Sequence, residues 1–171
     1  MKTKKLFLAT VLSVLTMSVY ASDGTINFTG EITSTTCNVS TGTNGNFSVV
    51  LPTVSTTALA SAGQTAGNQF FDISLTGCSG SLTNVAASFE SLNNTDATNG
   101  NLVPNTAPAN LQIRLADESG NQAKVGGPAV GYQPIVSGSA DLRYQALYFA
   151  KAPVTDPGAV AATVSYTLNY Q

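Results

Sequence analysis

The amino-acid sequence predicts an all-β sandwich, and three features of its pattern indicate this fold class. Several short segments alternate between apolar and polar residues, which is the period of a strand with one buried face. Clusters of Gly, Pro, Asn and Asp separate these segments and predict turns. No segment combines helical periodicity with capping residues. Many short strands divided by turns are typical of a β-sandwich.

The first 21 residues have the composition of a secretory signal peptide. Three lysines within the first five residues precede an apolar run over residues 6–19, and small residues precede a cleavage site between Ala21 and Ser22. The alternative is a membrane anchor. The apolar run is shorter than the roughly 20 residues that a spanning helix needs, so we expect no integral membrane association after cleavage.

The exported part, residues 22–171, is mildly acidic. Its only basic residues are Arg114, Lys124, Arg143 and Lys151, against nine acidic residues. Nucleic acids and anionic membranes attract basic surfaces, so this charge balance argues against both as partners.

The two cysteines, Cys37 and Cys78, both lie in the exported part. An even number of cysteines in an oxidising compartment predicts one disulfide. The disulfide would close a loop of about 40 residues. By the loop-closure entropy of the unfolded chain, it would contribute roughly 4 kcal/mol to the free energy of unfolding. The alternative is two unpaired buried thiols. Two thiols without a histidine do not complete a tetrahedral zinc site.

Alternation predicts strands at residues 22–32, 46–51, 69–76, 111–116 and 158–171. A further short strand is expected at residues 85–90, and residues 141–150 are rich in aromatic residues and leucine. Residues 33–39 are expected to be extended, and residues 53–68 to form a loop with at most a short strand or helical turn. Residues 123–136 contain several glycines and prolines, so any strand there lies at a sheet edge.

The strands at the two ends of the exported chain have the clearest patterns. In the first, Ile26, Phe28, Gly30 and Ile32 alternate with polar residues. A glycine inside a strand usually marks a bulge or the close approach of another backbone. The alternative is an ordinary first strand in which the glycine buries no side chain and weakens the packing. In the last, residues 158–171, apolar or aromatic side chains occupy every even position from 160 to 170.

The chain lacks the residues that most enzyme sites need. It contains no histidine, which excludes Ser-His-Asp and Cys-His catalysis and histidine metal sites. We find no nucleophile elbow and no phosphate-binding loop. The acids Glu90, Asp117, Glu118 and Asp141 are expected in turns or on the surface rather than as a glycosidase pair. We therefore expect neither an enzyme nor a bound cofactor or metal.

Three tyrosines, Tyr132, Tyr144 and Tyr148, allow two interpretations. They would line a sugar-binding face or belong to core and sheet packing. Tyr at strand spacing belongs more often to packing, and we expect the second.

The two ends and the cysteine pair together resemble the subunits of chaperone–usher fimbriae of Gram-negative bacteria, in particular the type 1 fimbrial major-subunit (pilin) family. Residues 24–32, GTINFTGEI, resemble that family's donor strand. Cys37 and Cys78 match its disulfide pair. The C-terminal motif is matched by a glycine fourteen residues from the end, alternating apolar residues and a penultimate tyrosine. This resemblance spans nearly the whole exported chain.

The resemblance implies an incomplete immunoglobulin-like β-sandwich that lacks its last strand. Residues 22–32 would be an N-terminal donor-strand extension and residues 33–171 the pilin domain. In the family, a periplasmic chaperone first lends a strand to the open groove. At the outer-membrane usher, the N-terminal strand of the next subunit then replaces it, which is a form of strand addition.

The resemblance also implies roles for particular residues. Ile26, Phe28 and Ile32 would enter a neighbour's groove, and Gly30 would lie where that groove is too shallow for a side chain. The groove strand carries these residues: Gly158, Val164, Tyr166, Leu168 and Tyr170.

The expected function is that of a structural subunit of an adhesive extracellular fimbria, exported through the periplasm. Its partners would be the chaperone, the usher, further copies of itself and other pilins, including a tip adhesin. The alternatives are a minor adaptor pilin and a pilin-domain adhesin that binds a host receptor directly.

Overall fold

The computed structural model of this protein describes residues 25–91 and 93–171. The chain divides into two units, with the boundary between Ile32 and Thr33. This boundary coincides with the predicted division between extension and domain. The predicted signal peptide and its cleavage site at Ala21 and Ser22 lie outside the described residues.

Residues 25–32 of the first unit form neither helix nor strand. The apolar side chains of Ile26, Phe28 and Ile32 are 78%, 90% and 100% exposed. The prediction of a strand here is therefore wrong for the single chain. A strand requires a backbone partner, and no described residue pairs with this segment.

The second unit contains two antiparallel sheets, as the sequence predicts. The strands are β1 (Thr36–Val39), β2 (Thr65–Ser79), β3 (Asn84–Glu90), β4 (Leu111–Asp117), β5 (Gln133–Pro134), β6 (Ala140–Ala150) and β7 (Ser165–Tyr170). One sheet has the order β1-β2-β6-β4 and the other the order β5-β3-β7. A short 3-10 helix, Thr56–Leu59, precedes β2. No helix in the described part of the chain is long and apolar enough to cross a membrane.

The core lies between the inward faces of the sheets and is organised around Tyr144 on β6, which is fully buried. Its ring lies edge-on to Phe89, with centroids 5.0 Å apart, and stacks on Phe71 at 6.0 Å. Its hydroxyl accepts a hydrogen bond from the Ala87 amide and donates one to the Val130 carbonyl, both at 2.9 Å. A buried tyrosine needs such partners because an unpaired hydroxyl is costly in an apolar core.

The packing interpretation of the tyrosines is confirmed for two of the three. Tyr144 is inaccessible and Tyr148 is 9% exposed, so neither forms a sugar-binding face. Tyr132 is partly buried.

Two predicted strands have different bounds in the structure, and a third predicted strand is absent. β2 begins at Thr65, four residues earlier than the alternation suggested, because β6 supplies a ladder partner even for small and polar residues. β7 begins only at Ser165, since the residues before it make a single bridge, between Ala161 and Thr106. Residues 46–51 form no strand, and their backbone is considered below with the groove.

Candidate functional site: a groove between two unpaired edges

The first wall of the candidate site is β7, which pairs with β3 on one side and with no described strand on the other. The ladder sets Tyr166 opposite Phe89 and Tyr170 opposite Val85. Tyr166, Leu168 and Tyr170 are therefore on the face that packs against the core. About half of the backbone groups of an edge strand point away from its neighbour, so β7 offers unpaired donors and acceptors.

The second wall is the segment 47–51, which follows the edge strand β1 along the chain. Phe47, Val49 and Leu51 are partly buried, whereas Ser48 and Val50 are exposed. This is the alternation of a strand. Among the described residues, however, no backbone hydrogen bond involves residues 47–51. The prediction of a strand at 46–51 therefore identified the side-chain pattern correctly but not the ladder, because the segment has no backbone partner among residues 25–91 and 93–171.

The two walls face each other over the core. The ring centroids of Phe47 and Tyr166 are 6.4 Å apart, and Phe47 is 6.0 Å from Phe71 on β2. Further partly buried side chains on both walls pack on the same core cluster: Val39, Leu51, Val160, Ala162 and Val164. The result is a groove with an apolar floor and an unpaired backbone edge on each side.

Two tyrosine hydroxyls cross from β7 to the segment that leads to the opposite wall, one to the turn before it and one to β1. The Tyr166 hydroxyl donates to the Gly45 carbonyl at 2.9 Å. The Tyr170 hydroxyl accepts from the Cys37 amide at 3.0 Å. Burial raises the pKa of Tyr166, so its hydroxyl keeps the proton that it donates.

Gly45 belongs to a tight turn directly before the second wall. Asn44 and Gly45 both have positive φ, 52° and 77°, and Thr43 and Asn46 exchange two backbone hydrogen bonds at 3.0 Å. An Asn-Gly pair is the preferred sequence for this two-residue turn. The cluster of Gly, Asn and Thr at residues 41–46 predicts a turn here but does not connect it to the groove.

The Cys37–Cys78 disulfide is present, as predicted, with an S–S distance of 2.02 Å. It joins the edge strand β1 to β2, where the ladder is irregular between Thr36 and Asn38. The bond therefore reinforces the attachment of β1, the strand that precedes the second wall along the chain.

A cavity of about 490 Å³ lies beside residues 156–160, which precede β7 along the chain. Its lining includes Val54, Leu59, Tyr148 and Val160. Gly158 lies on this lining, and a β-carbon added to it would be 3.3 Å from Pro108 Cγ. A larger residue at 158 would crowd the contact with Pro108.

The structure brings together the predicted groove residues of β7 and the segment before it, Val164, Tyr166, Leu168 and Tyr170, with Gly158 at the cavity. The alternation at 46–51 predicted a strand at the opposite wall but did not assign it to the groove, and the Asn44-Gly45 dipeptide before it was a second signal of its position. The predicted donor residues Ile26, Phe28, Gly30 and Ile32 belong to the first unit, where they are exposed. No group of three or more His, Cys, Asp or Glu in the described part of the chain is arranged to hold a metal.

Two antiparallel sheets around a core, with an unpaired edge on each side of one groove, define an incomplete immunoglobulin-like sandwich. The same fold is found in the P pilus rod subunit PapA, whose crystal structure matches with a TM-score of 0.64 at 22% identity, covering 79% of this chain and 99% of that one. A chain in the structure of a chaperone–usher pilus matches with the same TM-score at 20% identity, over 90% and 99%.

The chain belongs to the fimbrial protein family, whose sequence model matches residues 26–171. The major fimbrial subunit SMF-1 of Stenotrophomonas maltophilia (strain K279a) is 37% identical over an alignment of 171 residues. The alignment covers 94% of this chain and 99% of that protein. The F17 fimbrial protein of Escherichia coli is 40% identical over 163 residues, covering 88% and 89%. The protein is thus a structural subunit of an extracellular fimbria.

Proposed function

We propose that this protein polymerises head to tail by donor-strand exchange, with residues 22–32 of one copy filling the groove of the next. The observation that carries the proposal is the pair of unpaired edges, β7 and residues 47–51, which face each other across the core. A strand placed between them would hydrogen-bond to both walls, as in other cases of strand addition. Such an interface is not self-complementary, so repeated addition produces an open filament.

The N-terminal segment has the properties of the missing strand. Its apolar side chains Ile26, Phe28 and Ile32 are almost fully exposed in the single chain. Full burial of such side chains contributes roughly 1.5–3 kcal/mol each. The polar residues between them, Thr25, Asn27, Thr29 and Glu31, would then face solvent, as the alternation of a strand requires.

Gly30 supports the same assignment. A β-carbon added to it meets no atom within 4 Å, and its φ is not positive. Nothing in the described part of its own chain therefore requires glycine at this position. A shallow point in a neighbour's groove would explain the glycine, because it would leave no room for a side chain.

The proposal includes a periplasmic chaperone and an outer-membrane usher. An isolated subunit exposes two unpaired edges and an apolar groove, a combination that favours aggregation. A chaperone strand that occupies the groove during export would prevent this, and the usher would exchange it for the next subunit. We assign the protein to the bulk of the shaft below a tip adhesin, supported by its similarity to a major fimbrial subunit.

The proposal is tested by completing the groove within one chain. Residues 22–32 are moved to follow Gln171 through a flexible linker, and the product is purified and sized. We expect a soluble monomer with a sharp unfolding transition. The matched control carries Phe28→Asp in the transplanted segment and is expected to aggregate. An aggregating parent fusion, or equal behaviour of both, would count against a missing strand.

The assignment to the shaft is tested in cells. A strain deleted for this protein is examined by electron microscopy, with re-expression of the intact chain as the control. Loss of the filaments supports the bulk subunit. Filaments of normal length and number would instead identify a minor pilin.

A further inference from the structure

The wall formed by residues 47–51 has an unusual feature: no backbone ladder fixes its position in the described structure. β7, by contrast, is aligned on β3 over its whole length, and β1 is held by β2 and by the disulfide. The position of residues 47–51 therefore depends on side chains and on the turn that precedes them.

Tyr166 makes the contacts that join this turn and this wall to β7. Its hydroxyl donates to the Gly45 carbonyl at 2.9 Å, two residues before the wall begins. Its ring lies 6.4 Å from the ring of Phe47, the first residue of the wall. Because the ladder with β3 fixes β7, the contacts of Tyr166 with Gly45 and Phe47 hold the turn and the wall at a set distance from β7.

We propose that Tyr166 is a positioning residue that holds the unpaired wall at the spacing a donor strand needs. The inference rests on the proposed donor-strand function and assigns a role within the same groove. Without the hydroxyl, the turn at Gly45 loses its only described partner on β7, and residues 47–51 sample other positions before a strand arrives. The effect falls on the rate of strand entry, because a bound strand supplies backbone hydrogen bonds to both walls and replaces the tyrosine as the link between them.

Tyr170 provides a matched comparison on the same strand. Its hydroxyl also crosses the groove, to the Cys37 amide at 3.0 Å. Cys37, however, lies on β1, which the ladder and the disulfide already hold in place. Loss of this hydroxyl therefore leaves the second wall where it was.

The experiment measures the uptake of a fluorescently labelled synthetic peptide of residues 22–32. The disulfide-intact chain of residues 22–171 is diluted from denaturant at low concentration into excess peptide, and binding is followed by anisotropy. We expect Tyr166→Phe to slow uptake about three- to tenfold, the range that the loss of one hydrogen bond produces, and Tyr170→Phe to change it less than twofold. In the self-complemented monomer, Tyr166→Phe should leave the unfolding midpoint almost unchanged.

Equal rates for Tyr166→Phe and the parent, or equal slowing by both substitutions, would overturn the positioning role. So would a loss of stability in the self-complemented monomer that accounts for the slower uptake. Failure of the unsubstituted chain to take up the peptide would instead overturn the proposed donor-strand function on which the inference depends.

Discussion

At the scale of single residues, Gly30 is the position where the absence of a side chain has the clearest consequence. It lies within an alternating apolar pattern, yet no contact within the described structure restricts it to glycine. A side chain at this position would have to fit a groove that, by the proposed mechanism, has no room for it. Overpacking of a formed interface destabilises it by about 1–3 kcal/mol.

We therefore predict that Gly30→Leu reduces fimbrial polymer about tenfold or more, with the amount of exported subunit unchanged. Polymer is measured by shearing and gel analysis, and export by the periplasmic content of subunit. Thr29→Leu is the matched control, since it adds similar bulk to the neighbouring residue on the opposite face of the donor strand. Normal polymer from Gly30→Leu would refute the steric argument.

A second residue-scale feature is the carboxylate of Asp96, which lies at the surface of the four-stranded sheet but is only 6% exposed. Lys151 Nζ lies 2.6 Å from it, and Gln112 Nε2 and the Thr98 hydroxyl donate to it, also at 2.6 Å. These contacts, the lysine first, hold the pKa of Asp96 well below its usual value of 3.8. A lowered pKa stabilises the folded state above pH 3.8, and this stabilisation is lost progressively as the pH falls below 3.8 towards the lowered pKa of the folded state.

We predict that Lys151→Met lowers the free energy of unfolding at pH 7 and makes its decline below pH 3.8 shallower. The measurement is urea unfolding of the self-complemented monomer at pH 7, 4 and 2. Lys124→Met is the control, because this exposed lysine makes no ion pair with any described residue. A pH dependence identical to that of the parent would show that the lysine does not set the acid response.

At the scale of secondary-structure elements, the distinguishing feature is a segment with the side chains of a strand and no ladder. Residues 47–51 alternate in burial but make no described backbone hydrogen bond. The edge of β7 that faces away from β3 also pairs with no described strand. A donor strand would pair with both elements at once, which converts two exposed edges into interior strands.

This pairing predicts a specific pattern of hydrogen exchange. In the self-complemented monomer, the amides of residues 47–51 that face the donor should exchange about two orders of magnitude more slowly than in the control fusion with Phe28→Asp. Amides in the middle of β6, which lies inside its sheet in either form, serve as the internal reference. Unchanged exchange at 47–51 would place the added strand elsewhere.

The sequence predicted most of these elements because each carries its own two-residue period. The core strands β3 and β4 fall within one residue of the predicted bounds, and β6 within one residue of the aromatic-rich segment 141–150, since their inward residues are uniformly apolar. The start of β2 could not be predicted, because Thr65 and its neighbours join the ladder only through the partner β6. The strand predicted at 46–51 is absent for the opposite reason. Its side chains have the two-residue period, but no described backbone segment pairs with it.

Only one of the two walls of the site was assigned to the groove from the sequence. The residues Tyr166, Leu168 and Tyr170 alternate at the chain terminus, and this pattern alone indicates a one-sided strand. The hydrogen bond of Tyr166 to Gly45 joins residues far apart in sequence and leaves no periodic signal. The same is true of the contacts between Asp96, Gln112 and Lys151, which depend on how the sheet brings distant segments together.

At the scale of the whole molecule, the domain is an open sandwich whose exposed edge strand β1 is the least supported part of its four-stranded sheet. β1 has only four residues and pairs with one neighbour through an irregular ladder. The Cys37–Cys78 bond, with a sequence separation of 41, fastens this strand to β2. The disulfide therefore contributes to the integrity of the groove as well as to the unfolding equilibrium.

We predict that replacing both cysteines by alanine lowers the free energy of unfolding of the self-complemented monomer by about 4 kcal/mol, the loop-closure value for this separation. The wall would also loosen, so uptake of the donor peptide should slow in the double variant. Urea unfolding and the anisotropy assay measure the two effects separately. Loop closure acts on the unfolded chain. A loss of stability without slower uptake would therefore show that the disulfide stabilises the fold but does not affect how the groove accepts a strand. Slower uptake together with that loss would show that the disulfide also keeps the groove ready for the incoming strand.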